Sequence, residues 1–356
     1  MNTFVADPEW GVWIVLYFFL GGIAAGAYFM AALIQIFGGP ADRGLSRAGY
    51  FIAFPLVLLC GIFLVVDLHR PERFWHMLFK SEVVTEAFRA GWPFSGHAWR
   101  LMFQAPLMKY WSPMSVGSWA LTVFGLCSFV SFLDSLWPER WFGRVMFHPV
   151  IGRIFAIFGS LAGFFIASYT GALLSATNLP IWSDSVWIAP LFLTSAASTG
   201  IATMILLIRW RDLAPTPAVD RLERADLWAL GLELAMFAIF LASLGGNIVA
   251  LAHTWGGWVF LIGVPLLGLL APLAIHLRIG MTVRRAELAA AALALVGGLL
   301  LRCGLLAAPP ELLRKPPATV ARFGPEDGRE RGGGRGADSG NQGEAIEARS
   351  KVFPKE

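Results

Sequence analysis

The chain has 356 residues, of which 56% are apolar and only 15% charged, where a soluble globular chain carries about 45–50% and about 25%. A mean hydropathy of +0.63, with 15 Trp and 28 Phe, excludes an ordinary soluble domain, a disordered chain and a nucleic-acid-binding protein. The net charge of +4 names no substrate, because much of the positive charge lies in the C-terminal tail.

An apolar run needs roughly 20 residues to cross about 30 Å of hydrocarbon as a helix. Eight runs qualify, over residues 13–37, 50–66, 116–136, 154–175, 188–208, 227–251, 259–275 and 286–306. In the first, Ala25-Gly26-Ala27 has the look of a signal cleavage site. No Lys or Arg precedes it, however, and the apolar run continues to Phe37, so it reads as a retained span. Backbone polar groups find no water in lipid, so every span must be helical. The expected fold class is all-α, a polytopic membrane bundle of about eight transmembrane helices.

Orientation follows from the loops. Loops 1-2, 3-4, 5-6 and 7-8 together hold twelve arginines, among them Arg43, Arg47, Arg140, Arg144, Arg153, Arg209 and Arg211, and loops 4-5 and 6-7 hold none. Cytoplasmic loops carry such an excess, which puts both termini outside. The organisation expected is a membrane domain over residues 1–308 and a disordered Gly/Pro-rich basic tail over 309–356. The loop over 67–114 is too long and too aromatic to be unstructured, with Trp75, Phe79, Phe88, Trp92, Phe94, Trp99, Phe103 and Trp111. A segment folded at the outer face, and the main docking surface, is the expectation.

Redox metals find little support. None of His69, His76, His97, His148, His253 and His276 lies in the middle third of a span, which disfavours haem between helices. Cys60, Cys127 and Cys303 are far apart, form no C-x-x-C pair and read as free, buried thiols, so neither haem nor an iron–sulfur cluster is expected in this chain.

Polar groups inside spans are costly and are functional candidates. Glu233, a third of the way into span six, must be neutral or paired; it is either a proton relay or a neutral carboxyl bonded to a neighbouring helix. Asp134, at the cytoplasmic end of span three, is in reach of Arg140 or Arg144, and with Glu233 it makes a candidate proton path. Asn247, beside Gly245-Gly246, reads as helix glue. Asp67, His69 and Arg70 put acid, imidazole and guanidinium within two turns where span two leaves the membrane, a set able to bond a quinone head group or an acidic partner, or merely to end a helix. Tyr169 lies near the outer end of span four, where tyrosines commonly form an interfacial belt. The Gly21-Gly22-Ile23-Ala24-Ala25-Gly26-Ala27 run reads as close helix packing.

Several of these stretches together resemble a known family. They are Trp13-Ile14-Val15-Leu16-Tyr17-Phe18-Phe19-Leu20-Gly21-Gly22-Ile23-Ala24-Ala25-Gly26, the Asp67-x-x-Arg70-Pro71-x-Arg73-Phe74 exit from span two, Ser168-Tyr169-Thr170-Gly171-Ala172-Leu173-Leu174, Pro180-x-Trp182, Pro190-Leu191-Phe192 and Ser195-x-x-Ser198-x-Gly200. Over about residues 10–306 the chain is similar to the membrane subunits of the NrfD and polysulfide reductase family. That resemblance implies an eight-helix, haem-free quinone or quinol subunit of a bacterial inner membrane. It would bind a ferredoxin-like iron–sulfur subunit, which in turn contacts a molybdopterin catalytic subunit. It also implies a quinone among the first four helices, with Tyr169 matching a tyrosine that contacts the head group. Tyr17 falls where some members carry histidine, and Ile14 where they carry asparagine. The resemblance thus points to Tyr169 bonding a quinone carbonyl while Asp67 or His69 exchanges its proton. The alternatives are a secondary transporter, for which Pro265 and Pro272 in span seven are the best support, and a membrane scaffold without redox function.

Overall fold

The computed structural model describes residues 10–39, 42–68, 70–104, 109–137, 150–211, 216–277 and 283–314. Among the described residues there are helices and turns and no strand, and eight of the helices are long and apolar enough to cross a membrane. They are α1 (Val12–Phe37), α2 (Arg43–Asp67), α3 (Pro113–Leu136), α4 (Ile151–Ser175), α5 (Ile188–Arg211), α6 (Thr216–Leu244), α7 (Trp255–Leu277) and α8 (Val283–Arg314). The chain is a multi-pass membrane protein.

Several helices outrun their apolar stretches, because a helix continues wherever its backbone and side chains find partners. α2 starts at Arg43, ahead of the apolar run, and Ser46 in this added turn donates to the Ala31 carbonyl at 2.9 Å. α6 likewise begins well before residue 227, and it ends at Leu244 rather than near 251. The break comes at Gly245, whose φ of +52° suits glycine and leaves the right-handed helix. Asn247 therefore starts a separate short helix, Asn247–Ala252, and its side chain donates to Asp184 Oδ2 at 2.9 Å. α7 is π-helical from Val259 to Leu270, around Pro265.

α8 corrects the expected start of the tail. It runs through Pro309 and Pro310 to Arg314, although neither proline has an N–H for the carbonyl one turn back. The Leu305 carbonyl, which Pro309 leaves without an amide, accepts instead from Trp182 Nε1 at 2.7 Å. The remainder of the expected tail lies outside the described residues. Of the three free cysteines only Cys60 is fully buried; Cys127 and Cys303 are partly exposed, against the expectation of three buried thiols.

The helices form two four-membered groups, α1–α4 and α5–α8, joined chiefly where α1 runs against α5. Glycines allow that join. A Cβ on Gly26 would fall on the Ala196 carbonyl, and one on Gly200 would fall on the Gly26 backbone, so the glycine-rich run of α1 does serve close approach. Gly268 of α7 and Gly297 of α8 meet in the same way. At the end of the bundle away from Arg43, Arg153, Arg209 and Arg285, the chain between α2 and α3 folds into a 3₁₀ turn, Pro71–Arg73, and three short helices, Trp75–Leu78, Ser81–Arg89 and Gly96–Gln104. Trp119 Nε1 on α3 holds this segment through the Leu78 carbonyl at 2.7 Å, and Lys109 Nζ through the His76 carbonyl at 3.2 Å.

Candidate functional site

The first group of helices opens at this same end into a cavity of about 140 Å³. Tyr17 from the second turn of α1, Asp67 at the last position of α2 and Tyr169 from the penultimate turns of α4 all line it. Trp10, Phe18, Met77 and Leu173 supply apolar wall between them. Trp10 is itself held by stacking on Trp182, with ring centroids 5.2 Å apart. Three residues remote in sequence are thus converged by antiparallel helices whose ends share one level.

Local packing fixes the two phenols differently. Tyr169 stacks on Phe165 at 5.7 Å and lies over Gly117 of α3, where a Cβ would overlap its ring. Its hydroxyl donates to the Pro113 carbonyl at 2.5 Å, so its oxygen remains an acceptor, and donation elsewhere requires release of that carbonyl. Tyr17 is 4% exposed and lines the cavity. Asp67 Oδ1 stands 3.8 Å from where a Cβ of Gly11 would be. Two phenols and a carboxylate in an otherwise apolar wall can hydrogen-bond a small oxygen-bearing ring and hold a proton beside it.

Leu64, Met77 and Ser118 also line a neighbouring apolar groove of about 470 Å³ between α2 and α3, with Leu58, Ile62 and Leu121 farther along it. A compact compartment with polar groups therefore shares a wall with a larger apolar groove.

The other predicted residues are not gathered here. Arg70 is exposed, beyond the end of α2 and off the cavity wall, and His69 lies outside the described residues. Asp134 is buried at the opposite, arginine-rich end of α3. Its facing cation is Arg47 of α2; the Arg140 and Arg144 expected to pair with it lie outside the described residues. Glu233 is in the other helix group, where its carboxylate accepts a hydrogen bond from Ser198 of α5.

The charge partner of Glu233 was not apparent from the sequence. Arg302, in the midst of α8, is 1% exposed. Its Nε donates to the Phe18 carbonyl at 3.1 Å, and Nη1 to Ser195 Oγ at 3.1 Å and the Gly298 carbonyl at 2.8 Å. Gly22 makes the space, since a Cβ there would meet the guanidinium, and the rings of Phe192 and Phe19 lie 5.3 and 5.8 Å from it. Asp226, likewise not singled out by the sequence, is fully buried on α6, with His276 Nε2 of α7 at 3.6 Å. A lone arginine in Leu299-Leu300-Leu301-Arg302-Cys303 was the available signal, masked by the hydropathy of its neighbours. Among the described residues no three His, Cys, Asp or Glu side chains assemble as a metal ion would need.

Comparison with known proteins agrees with this architecture. Protein NrfD of Escherichia coli is 27% identical over 311 residues, covering 83% of this chain and 93% of that protein. A Haemophilus influenzae protein described as an NrfD homolog is 24% identical over 285 residues, 74% of this chain and 82% of its own length. A selenate reductase subunit of Mesobacillus selenatarsenatis is 31% identical over 78 residues, only 22% of this chain and 18% of that protein. The family model described as "Polysulphide reductase, NrfD" matches residues 4–309, and the chain belongs to that family.

Proposed function

We propose that this chain is the quinone-reactive membrane subunit of an oxidoreductase complex. The observation that carries the reading is the cavity of Tyr17, Asp67 and Tyr169 lying against an apolar groove with which it shares Leu64, Met77 and Ser118. A polar ring bearing an isoprenoid tail has that division of chemistry. The cavity volume falls below the roughly 300–1,000 Å³ of drug-sized ligand sites, which suits a single head group with its tail elsewhere. Oxidation of a quinol releases two electrons and two protons, and reduction of a quinone takes up the same.

In this reading Tyr17 and Tyr169 orient the ring by hydrogen bonds and Asp67 holds a proton at the cavity wall. Trp10, Phe18 and Met77 keep bulk water out. The electrons pass to a ferredoxin-like iron–sulfur subunit and from it to a molybdopterin catalytic subunit, and the name of the Mesobacillus relative, a reductase subunit, supports membership of such a complex. The segment between α2 and α3 supports docking at the cavity end, because Phe88, Phe94, Tyr110 and Trp111 are exposed there. The arginines at the opposite end support its assignment to the cytoplasm, with the cavity on the outer face of a bacterial inner membrane.

The test is a Tyr169→Phe variant purified with its partner subunits. Normal assembly with quinol-linked turnover reduced on the order of tenfold, about 1.4 kcal/mol of lost stabilisation, is expected. Unchanged turnover would remove Tyr169 from the site. A chain that purifies alone, free of quinone and of iron and molybdenum partners, would favour the transporter or scaffold reading.

A further inference from the structure

At the arginine-rich end of the bundle, α2 of the first helix group and α5 of the second run antiparallel with a seam between them. Arg47, Phe51 and Pro55 follow one another at four-residue intervals on α2, and Thr203, Leu207 and Arg211 do the same on α5. Such spacing puts each trio on one face of its helix, over ~12 Å of axis. The two faces meet in the seam. Arg47 and Arg211 line a compartment of about 470 Å³ at its mouth, where Gly44 and Ala48 are small enough to leave the space. Phe51 and Leu207 line both this compartment and an apolar groove of about 610 Å³, which Pro55, Leu206 and Leu288 of α8 also wall.

Charge and apolar surface are thus separated along the seam. Arg47 is half-buried, with Asp134 of α3 facing it, and a guanidinium with five donors can face a carboxylate on one side and another anion on the other. Arg211 is exposed at the last position of α5. Among the described residues it has no carboxylate partner, whereas Arg209 has both Glu223 and Glu287. Its guanidinium lies over the ring of Trp210 at 4.9 Å, and Trp210, 71% exposed, also lines the groove. Tryptophan takes such a place where hydrocarbon meets headgroups.

We infer that this seam binds an anionic phospholipid of the adjacent leaflet, its phosphodiester between Arg47 and Arg211 and an acyl chain along Phe51, Pro55, Leu206 and Leu207. Basic pockets between transmembrane helices recognise acidic headgroups in this way. The charge pattern selects the occupant. A quinone ring brings no charge to the two guanidiniums, and a soluble anion leaves the groove unfilled. The length agrees as well, since ~12 Å of stripe spans most of the ~15 Å of hydrocarbon in one leaflet. A lipid seated there touches both helix groups and stabilises their junction. The site lies at the opposite end of the bundle from Tyr17, Asp67 and Tyr169, and it is independent of the quinone reading.

The experiment is native mass spectrometry of the full chain, stripped of lipid in detergent and titrated with phosphatidylglycerol or phosphatidylethanolamine of identical acyl chains. The first phosphatidylglycerol should bind at least tenfold tighter than phosphatidylethanolamine. Arg211→Gln should weaken it about fivefold, about 1 kcal/mol, and Arg211→Lys should keep most of the preference. Leu207→Trp, which fills the groove, should weaken it at least fivefold. Arg285→Gln, at the same end but off the seam, should change it less than twofold. Arg211 is the position to vary, because Arg47→Gln would also strip Asp134 of its facing cation. Equal affinity for the two lipids, or a parent-like preference in both Arg211→Gln and Leu207→Trp, overturns the proposal. So does displacement of phosphatidylglycerol by inorganic phosphate, which marks a plain anion site, or by a short-chain quinone. A dimer that forms without lipid and is lost in Leu207→Trp assigns the seam to a second copy and overturns it too.

Discussion

Arg302 on α8 donates from Nε to the backbone carbonyl of Phe18 on α1, 3.1 Å away and 284 residues earlier in the chain. That one bond ties the second helix group to the first at the level of the cavity. It also ends in a helix whose own amides are already committed, so the guanidinium satisfies a second lone pair of the carbonyl rather than replacing a helical bond.

Removal of the guanidinium should therefore be severe. Arg302→Met leaves Glu233 buried without its countercharge, and such a loss costs about 3–5 kcal/mol. Thermal unfolding of the purified chain in detergent should show it. The double variant Arg302→Met, Glu233→Gln should recover about 1–3 kcal/mol of that loss, because the uncompensated charge is gone. Strict additivity of the two single effects would show that the pair is not coupled.

Gly117 gives a sharper probe of the cavity than any of its polar residues. A side chain there would drive the Tyr169 ring from its place and narrow the cavity, while the fold has no other need of that position as glycine in a right-handed helix. Gly117→Val should weaken binding of a quinone analogue on the order of tenfold or more, about 1.4 kcal/mol, with little change in thermal stability. Titration of analogue fluorescence against the purified variant measures the first, and a melt the second.

Trp182 closes the end of α8. Trp182→Phe keeps the stacking surface for Trp10 but leaves the Leu305 carbonyl without a donor. A loss of about 1–2 kcal/mol is expected. Restoring an amide by Pro309→Ala in the same chain should return most of it, since residue 309 then bonds its own helix. Comparison of the two melting curves decides.

Phe94 is 96% exposed at the tip of the segment between α2 and α3. Phe94→Glu should leave the membrane domain as stable as before and weaken association with the proposed iron–sulfur subunit on the order of tenfold or more, the behaviour of an aromatic anchor at an interface. Co-purification under graded salt measures it. Equal recovery of partner from both forms would move the docking surface away from this residue.

Much of the fold was legible because the bilayer imposes one solution on an apolar run: eight runs became eight helices, and Gly26 and its neighbours were recognised as packing by size alone. Boundaries were less legible. Hydropathy marks where lipid contact ends, whereas helices end where a residue such as Gly245 turns or where Ser46 and Trp182 supply or withhold a partner. In the same way Tyr17, Asp67 and Tyr169 were each visible as polar residues near span ends, and the resemblance singled them out.

Their meeting in one cavity was decided by the antiparallel packing of α1, α2 and α4, which no local pattern records. The surroundings of Glu233 are the clearest contrast. By itself the sequence determined that the chain has eight runs long and apolar enough to cross a membrane and that Glu233 had to be neutral or paired. Only the tertiary structure decided that the partners are Ser198 and, through Ser195, Arg302, because charges far apart in the chain become neighbours only when whole helices are brought to a common level.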